Sequence, residues 1–258
     1  MGGISGISTT SPYLYGHIAS GNRLMSAADG AAELAITKNE EAQITGYNTG
    51  TKNLGDGVNL LNTSDGALGS VTDHLQRMRE LALRASSSIL NDSNRAEIQK
   101  EIDHLKKGID QIASQTNFNG RSLLDGSQAK GVQLVSDAGG SSLTVNNSLN
   151  STTQTLGIAD FDVTKGNFDL QAIDDALTKV TSNRSTLGTQ SNALDHAINY
   201  NDYASVNLTA SKSRMGDTDI AKTLMELKHQ QTLQSVSMML QKRKMEQDGN
   251  KMTGLLRM

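Results

Sequence analysis

Residues 54–82 read LGDGVNLLNTSDGALGSVTDHLQRMRELA. The apolar positions Leu54, Val58, Leu61, Leu68, Val71, Leu75, Met78 and Ala82 are separated by steps of 3, 4 and 7 residues. Those steps keep a narrow stripe on one side of an α-helix, which is the spacing of a helix–helix seam. Extended outward, the pattern predicts one long helix over residues 27–86. At 1.5 Å per residue, about 55 residues span about 80 Å. Gly46, Gly50, Gly55, Gly57, Gly66 and Gly69 interrupt it. Each costs about 1 kcal/mol against Ala in a helix, so this helix requires partners along its length.

Residues 86–94 form a polar turn in which Asp92, Ser93 or Asn94 can cap the next helix, with Glu97 in its first turn. Ile98, Ile102, Leu105, Ile109 and Ile112 then recur at 4-3-4-3 spacing, and this helix ends near Gln115. The character changes over residues 120–168. Val132 and Leu134 alternate with polar residues, as do Leu143 and Val145, with Asp137-Ala138-Gly139-Gly140 between them. That is the pattern of a small β-hairpin. Residues 146–155, rich in Ser, Thr and Asn, read as a loop. Ile173, Leu177, Val180, Leu187, Leu194, Ile198 and Leu208 return to a single heptad register over 169–214. A last helix is expected from Asp217 or Asp219 through Ile220, Leu224, Leu227, Leu233, Val236 and Leu240. Between Gln230 and Gln241 it carries no charge, so it is weakly solubilised and calls for burial against other helices. Residues 1–22 read as irregular, with a short helix near 13–19.

Composition agrees. Hydrophobic residues make up 36 % of the 258 and aromatics 3 %, with no Trp. Leu, Ile, Val, Met and Ala suit narrow seams better than one thick core. A single proline, Pro12, leaves long helices open. The net charge of −3 comes from mixed residues without blocks of one sign, which points to neither nucleic acid nor an anionic membrane. The absence of Cys excludes disulfides, thiolate metal sites and Cys nucleophiles. No stretch reaches the roughly 18 apolar residues of a membrane span, and no cleavable signal peptide is legible at the start.

Nothing in the chain reads as an active site, a metal site or a cofactor site, so no enzyme and no cofactor is expected. His17, His74, His104, His196 and His229 never fall at i, i+4, and no His-Glu-x-x-His occurs; they read as helix-surface residues. Gly55-Asp56-Gly57 is a fragment of a phosphate-loop pattern with Leu60 at the third glycine position; small residues for close helix approach explain it better. Asp174, Asp175, Asp217 and Asp219 stand where carboxylates favour a helix start. Met225, Met238, Met239, Met245 and Met252 read as adaptable packing surface.

The fold class that follows is mainly α: an elongated antiparallel helical bundle or coiled coil with a small β-hairpin insert and both chain ends at one pole. A rod with a sticky pole of paired termini is the kind of unit that stacks into a fibre.

The residues also resemble a known family, the bacterial flagellins. Ser20-Gly21-Asn22-Arg23-Leu24 with Ser26-Ala27-Ala28-Asp29-Gly30-Ala31-Ala32 is similar to the family's SSGLRINSAxDDAAG start. Asp56-Gly57-Val58, Gly66-Ala67-Leu68 and residues 75–82 resemble its next block. Residues 115–120, QTNFNG, are similar to QTxFNG. Gln154-Thr155-Leu156-Gly157, Ile173-Asp174-Asp175-Ala176-Leu177, Leu187-Gly188, Asn207-Leu208-Thr209-Ala210, Ser213-Arg214, Asp217-Thr218-Asp219 and the closing Leu255-Leu256-Arg257 continue the likeness in order. It covers residues 20–258. The segment before Ser20 departs from the family, being shorter and carrying Gly2, Gly3, Gly6 and Pro12 where an amphipathic helix is usual.

The resemblance implies a structural subunit that self-assembles into a helical filament for motility, is exported unfolded by the flagellar type III apparatus and resides in the extracellular flagellum. It implies an inner-core segment over 1–26, a helical rod over 27–214 with the β insert at about 120–168, and an inner-core helix over 215–258. Leu54, Val58 and Leu61 would meet Leu187, Leu194 and Ile198 in an intrachain seam. Leu224, Leu227, Val236 and Leu240 would form the face used in assembly and held by an export chaperone beforehand. Arg77, Leu81 and Glu101 match a patch seen by the vertebrate Toll-like flagellin receptor, although for the protein's own bacterial role seam packing for Leu81 and a solvated or subunit-pairing charge for Arg77 explain them better. No nucleic acid and no membrane insertion is expected. Rival readings are a hook-filament junction protein and a secreted, non-polymerising binding protein; the QTNFNG block favours the filament subunit over the first.

Overall fold

The computed structural model describes residues 7–128, 130–145, 149–165 and 168–255. Helix α1 spans Ile7–Ser20, a short 3₁₀ turn Ala27–Asp29, α2 Ala31–Ala85, α3 Asp92–Gln115, α4 Thr153–Leu156, α5 Gln171–Gly216 and α6 Ile220–Leu255. Strands β1 (Asn117–Phe118) and β2 (Arg121–Ser122) form one antiparallel pair, and β3 (Val132–Val135) and β4 (Ser142–Val145) another. The fold is therefore mainly α, with long helices packed together and a small hairpin. Two compact units divide the chain: residues 43–206, and residues up to 42 together with those from 207 onward. The divisions fall inside α2 and α5.

In the larger unit, α2 buries the stripe the sequence announces. Leu54, Leu61, Leu68, Val71, Leu75, Met78 and Ala82 are at most 1 % exposed. Helix α5 runs antiparallel to it. Going up α2, Asn48, Thr51, Asp65 and Arg79 meet Ser205, Asp202, Arg184 and Asp174 going down α5. Helix α3 adds Ile98, Ile102, Ile109 and Ala113 to the same core. Its N-cap is Asn91, whose side chain accepts from Asn94 N at 2.8 Å; the cap thus lies one residue before the candidates taken from sequence.

The insert closes this core. Leu123, Leu124, Leu156, Ile158 and Val163 are buried in it. Asp110 of α3 accepts from Thr153 N and Oγ1 at 2.8 and 2.9 Å, which fixes α4. The expected loop at 146–155 thus contains a helical turn, capped by Thr152 and closed by Gly157 in the left-handed region; residues 146–148 lie outside the described residues. The hairpin is the expected one, and its register sets Val132 opposite Val145 and Leu134 opposite Leu143. Its turn is held by Asp137 Oδ1, which accepts from Gly139 N and Ser141 N.

The hairpin explains half of the glycines in α2. A methyl at Gly46 would strike Ala138, one at Gly50 the Ser136 carbonyl, and one at Gly57 the Leu134 side chain. Gly46 and Gly50 admit the turn of the hairpin, and Gly57 admits strand β3 and the Leu194 side chain of α5. Gly55, Gly66 and Gly69 meet nothing.

In the smaller unit α1 packs against α6, and Leu14, His17 and Leu227 are buried. Helix α1 spans Ile7–Ser20 and runs through Pro12, so it is longer than the short helix expected near 13–19, and residues 7–20 are not irregular; residues 1–6 lie outside the described residues. The connection after α1 is stitched to the end of α5. Arg23 N donates to Gly216 O at 2.7 Å, Arg23 Nη2 to Met215 O at 2.6 Å, and Thr218 N to Gly21 O at 2.8 Å. The two terminal segments therefore belong to one unit.

Candidate functional site

Helix α6 starts where Asp219 Oδ1 accepts from Lys222 N at 3.0 Å, taking up one of the free N–H groups of the first turn. Leu227 is 3 % exposed, whereas Leu224 is 42 %, Val236 47 % and Leu240 61 % exposed. The expected face of four residues is therefore split. Nine residues separate Leu227 from Val236, or 2.5 helical turns, so the two side chains leave opposite sides of the helix. Leu227 belongs to the side buried with α1; Leu224, Val236 and Leu240 stay open, joined by Leu233, Met225 and Met239. The side chain of Met252 and residues 256–258 lie outside the described residues.

The seam residues all lie in the core of the larger unit. Leu54, Leu61, Leu187 and Leu194 are at most 2 % exposed, and Val58 and Ile198 pack half-buried against them. The other trio is not gathered on one surface. Arg77 Nη2 donates to Glu101 Oε1 at 2.7 Å and Nη1 to Glu80 Oε2 at 3.1 Å. These carboxylates raise the affinity of the Arg77 guanidinium for its proton, Glu101 contributing most. Leu81, in contrast, is 3 % exposed and turned into the core.

Several contacts were missed by the sequence reading. Asn201 is buried and donates from Nδ2 to the Ser136 carbonyl at 2.6 Å, tying α5 to the hairpin. It follows Leu187 and Leu194 at seven-residue intervals, and a polar residue in a heptad seam position was the available signal. His17 is buried, not on the surface; its Nδ1–H donates to Asn22 O at 2.7 Å. Asp29 accepts from the Tyr13 hydroxyl at 2.7 Å and from Met25 N and Ser26 N. These bonds, the Tyr13 hydroxyl first, lower its carboxyl to about 2.

Among the described residues no helix is long and apolar enough to cross a membrane, and no cluster of three or more His, Asp or Glu is placed to hold a metal.

Long seam-packed helices ending in one whose apolar residues remain open define a structural, self-associating protein. Comparison with known proteins makes the assignment specific. Residues 14–129 match the bacterial flagellin N-terminal helical region, and residues 170–248 its C-terminal helical region. The chain is 36 % identical to a flagellin of Halalkalibacterium halodurans, over 85 % of this chain and 82 % of that one. It is 34 % identical to a flagellin of Bacillus subtilis, over 85 % and 84 %. The crystal structure of Bacillus cereus flagellin superposes with a TM-score of 0.50 at 35 % identity, covering 58 % of this chain and 88 % of that one. The chain belongs to the bacterial flagellin family, and its function is that of a structural filament subunit.

Proposed function

We propose that this subunit joins the filament through the open apolar residues of α6, Val236 and Leu240 on one side and Leu224 about a third of a turn round from Val236, packing against the terminal helices of neighbouring copies. The supporting observation is that these three side chains are 42 %, 47 % and 61 % exposed on a helix with no charge from 231 to 240. Burial of one such side chain contributes about 1.5–3 kcal/mol, and a helical array repeats that contribution at every subunit. Leu227 serves the α1–α6 pairing instead and shapes the face without being part of it.

The same open face is a suitable seat for an export chaperone, which would cover it in the cytoplasm before the chain leaves through the flagellar export apparatus for the extracellular filament. Recognition by a vertebrate Toll-like receptor would use the Arg77–Glu101 pair; the burial of Leu81 limits its part to supporting that pair from beneath.

The test is seeded filament growth followed by electron microscopy. Leu224→Asp and Val236→Asp should stop growth while circular dichroism of the monomer stays that of the wild type. Normal filaments from Val236→Asp would overturn the assignment of this face, and from Leu224→Asp the part given to Leu224.

A further inference from the structure

The open face of α6 carries sulfur as well as hydrocarbon. Met225 is 67 % exposed and Met239 69 % exposed. They are 14 residues apart, two heptads, which places them on the same side of the helix as Leu233, Val236 and Leu240. Met78, by contrast, is fully buried in the core of the larger unit. The chain has no Cys to react first, so exposed thioethers are its most oxidisable groups.

We propose that Met225 and Met239 form an oxidant-sensitive modification site, at which a peroxide switches off the assembly competence of the free subunit. The thioether sulfur attacks one peroxide oxygen and the O–O bond breaks. Sulfur is oxidised by two electrons to a sulfoxide, and the peroxide is reduced, leaving as water once the transferred oxygen has given up its proton. The product replaces a flexible apolar side chain by a polar, chiral one that requires hydrogen bonds. Buried in a helix–helix contact without a partner, that S=O group opposes the contact. The chemistry selects small peroxides that reach an exposed helix face. Subunits already packed in a filament are shielded, so the modification acts on subunits awaiting incorporation. This inference rests on the assembly role proposed for the α6 face.

The experiment treats monomer with graded hydrogen peroxide, locates sulfoxides by peptide mass spectrometry and then measures seeded growth. Met225 and Met239 should oxidise about tenfold faster than Met78, and growth should be lost in step with them. The double variant M225L/M239L, whatever its own rate of seeded growth, should lose none of that rate after the same treatment. Undiminished growth of oxidised wild type, or a double variant as sensitive as the wild type, overturns the proposal. Val236→Asp, never oxidised, separates the two ideas. If it assembles normally, the assigned face is wrong; if it fails while oxidised wild type grows, only the methionine proposal is wrong. Equal oxidation rates of Met225 and Met239 in filament and monomer would overturn the shielding.

Discussion

Arg184 of α5 grips Asp65 of α2 with two parallel bonds, Nε to Oδ1 at 2.8 Å and Nη2 to Oδ2 at 3.2 Å. The two residues lie 119 positions apart. A planar fork meeting a planar carboxylate tolerates little sliding, so the pair marks the register in which the two long helices of the larger unit run antiparallel. Both side chains are about two-fifths exposed, which limits the energy. A double-mutant cycle with Asp65→Asn and Arg184→Met, read by urea unfolding, should give a coupling of about 0.2–1 kcal/mol that shrinks in high salt.

Glycines of α2 should separate by position. Gly50→Ala places a methyl against the Ser136 carbonyl, a backbone atom that cannot turn aside, and should cost about 1–3 kcal/mol. Gly66→Ala meets nothing and should stabilise by about 0.4–1 kcal/mol, because alanine has less conformational freedom to lose. Thermal unfolding of the two variants checks the sign of each.

Asn201→Leu should loosen the hairpin selectively. The substitution removes the donor to the Ser136 carbonyl, and loss of a buried partner costs about 1–3 kcal/mol. Amide exchange in β3 and β4 should rise, while exchange in α2 around Leu68 and Leu75 stays slow. Uniform acceleration of both regions would contradict a role confined to docking the hairpin.

The turn after α1 should be acid-sensitive. Asp29 is held as a carboxylate down to about 2 by the Tyr13 hydroxyl and the Ser26 and Met25 amides. Its folded value is depressed, so its contribution is complete above the unfolded value near 3.9 and disappears as pH falls towards 2. Protection of the Met25 and Ser26 amides should be constant from pH 8 to 5 and fall below pH 4, and Asp29→Asn should lower it at every pH.

The sequence by itself determined the long helices, the small hairpin and the family. These depend on local periodicity: a stripe at 3-4 spacing fixes a helix and its apolar side wherever the helix goes. Leu54, Leu61, Leu187 and Leu194 are buried because such a stripe has few alternatives. Only the tertiary structure decided which neighbour each stripe faces. Leu227 and Val236 look alike in the sequence, yet α1 covers one and leaves the other open. Gly50 and Gly66 are equally costly to a helix, yet the hairpin turn at Ser136 rests on the first alone. Leu81 matched a receptor patch by resemblance and a seam by spacing, and α2 and its partners place it inside. The physical reason is the same in each case: periodicity is a property of one helix, whereas burial, close approach and hydrogen-bond partnership are properties of two segments that only folding brings together.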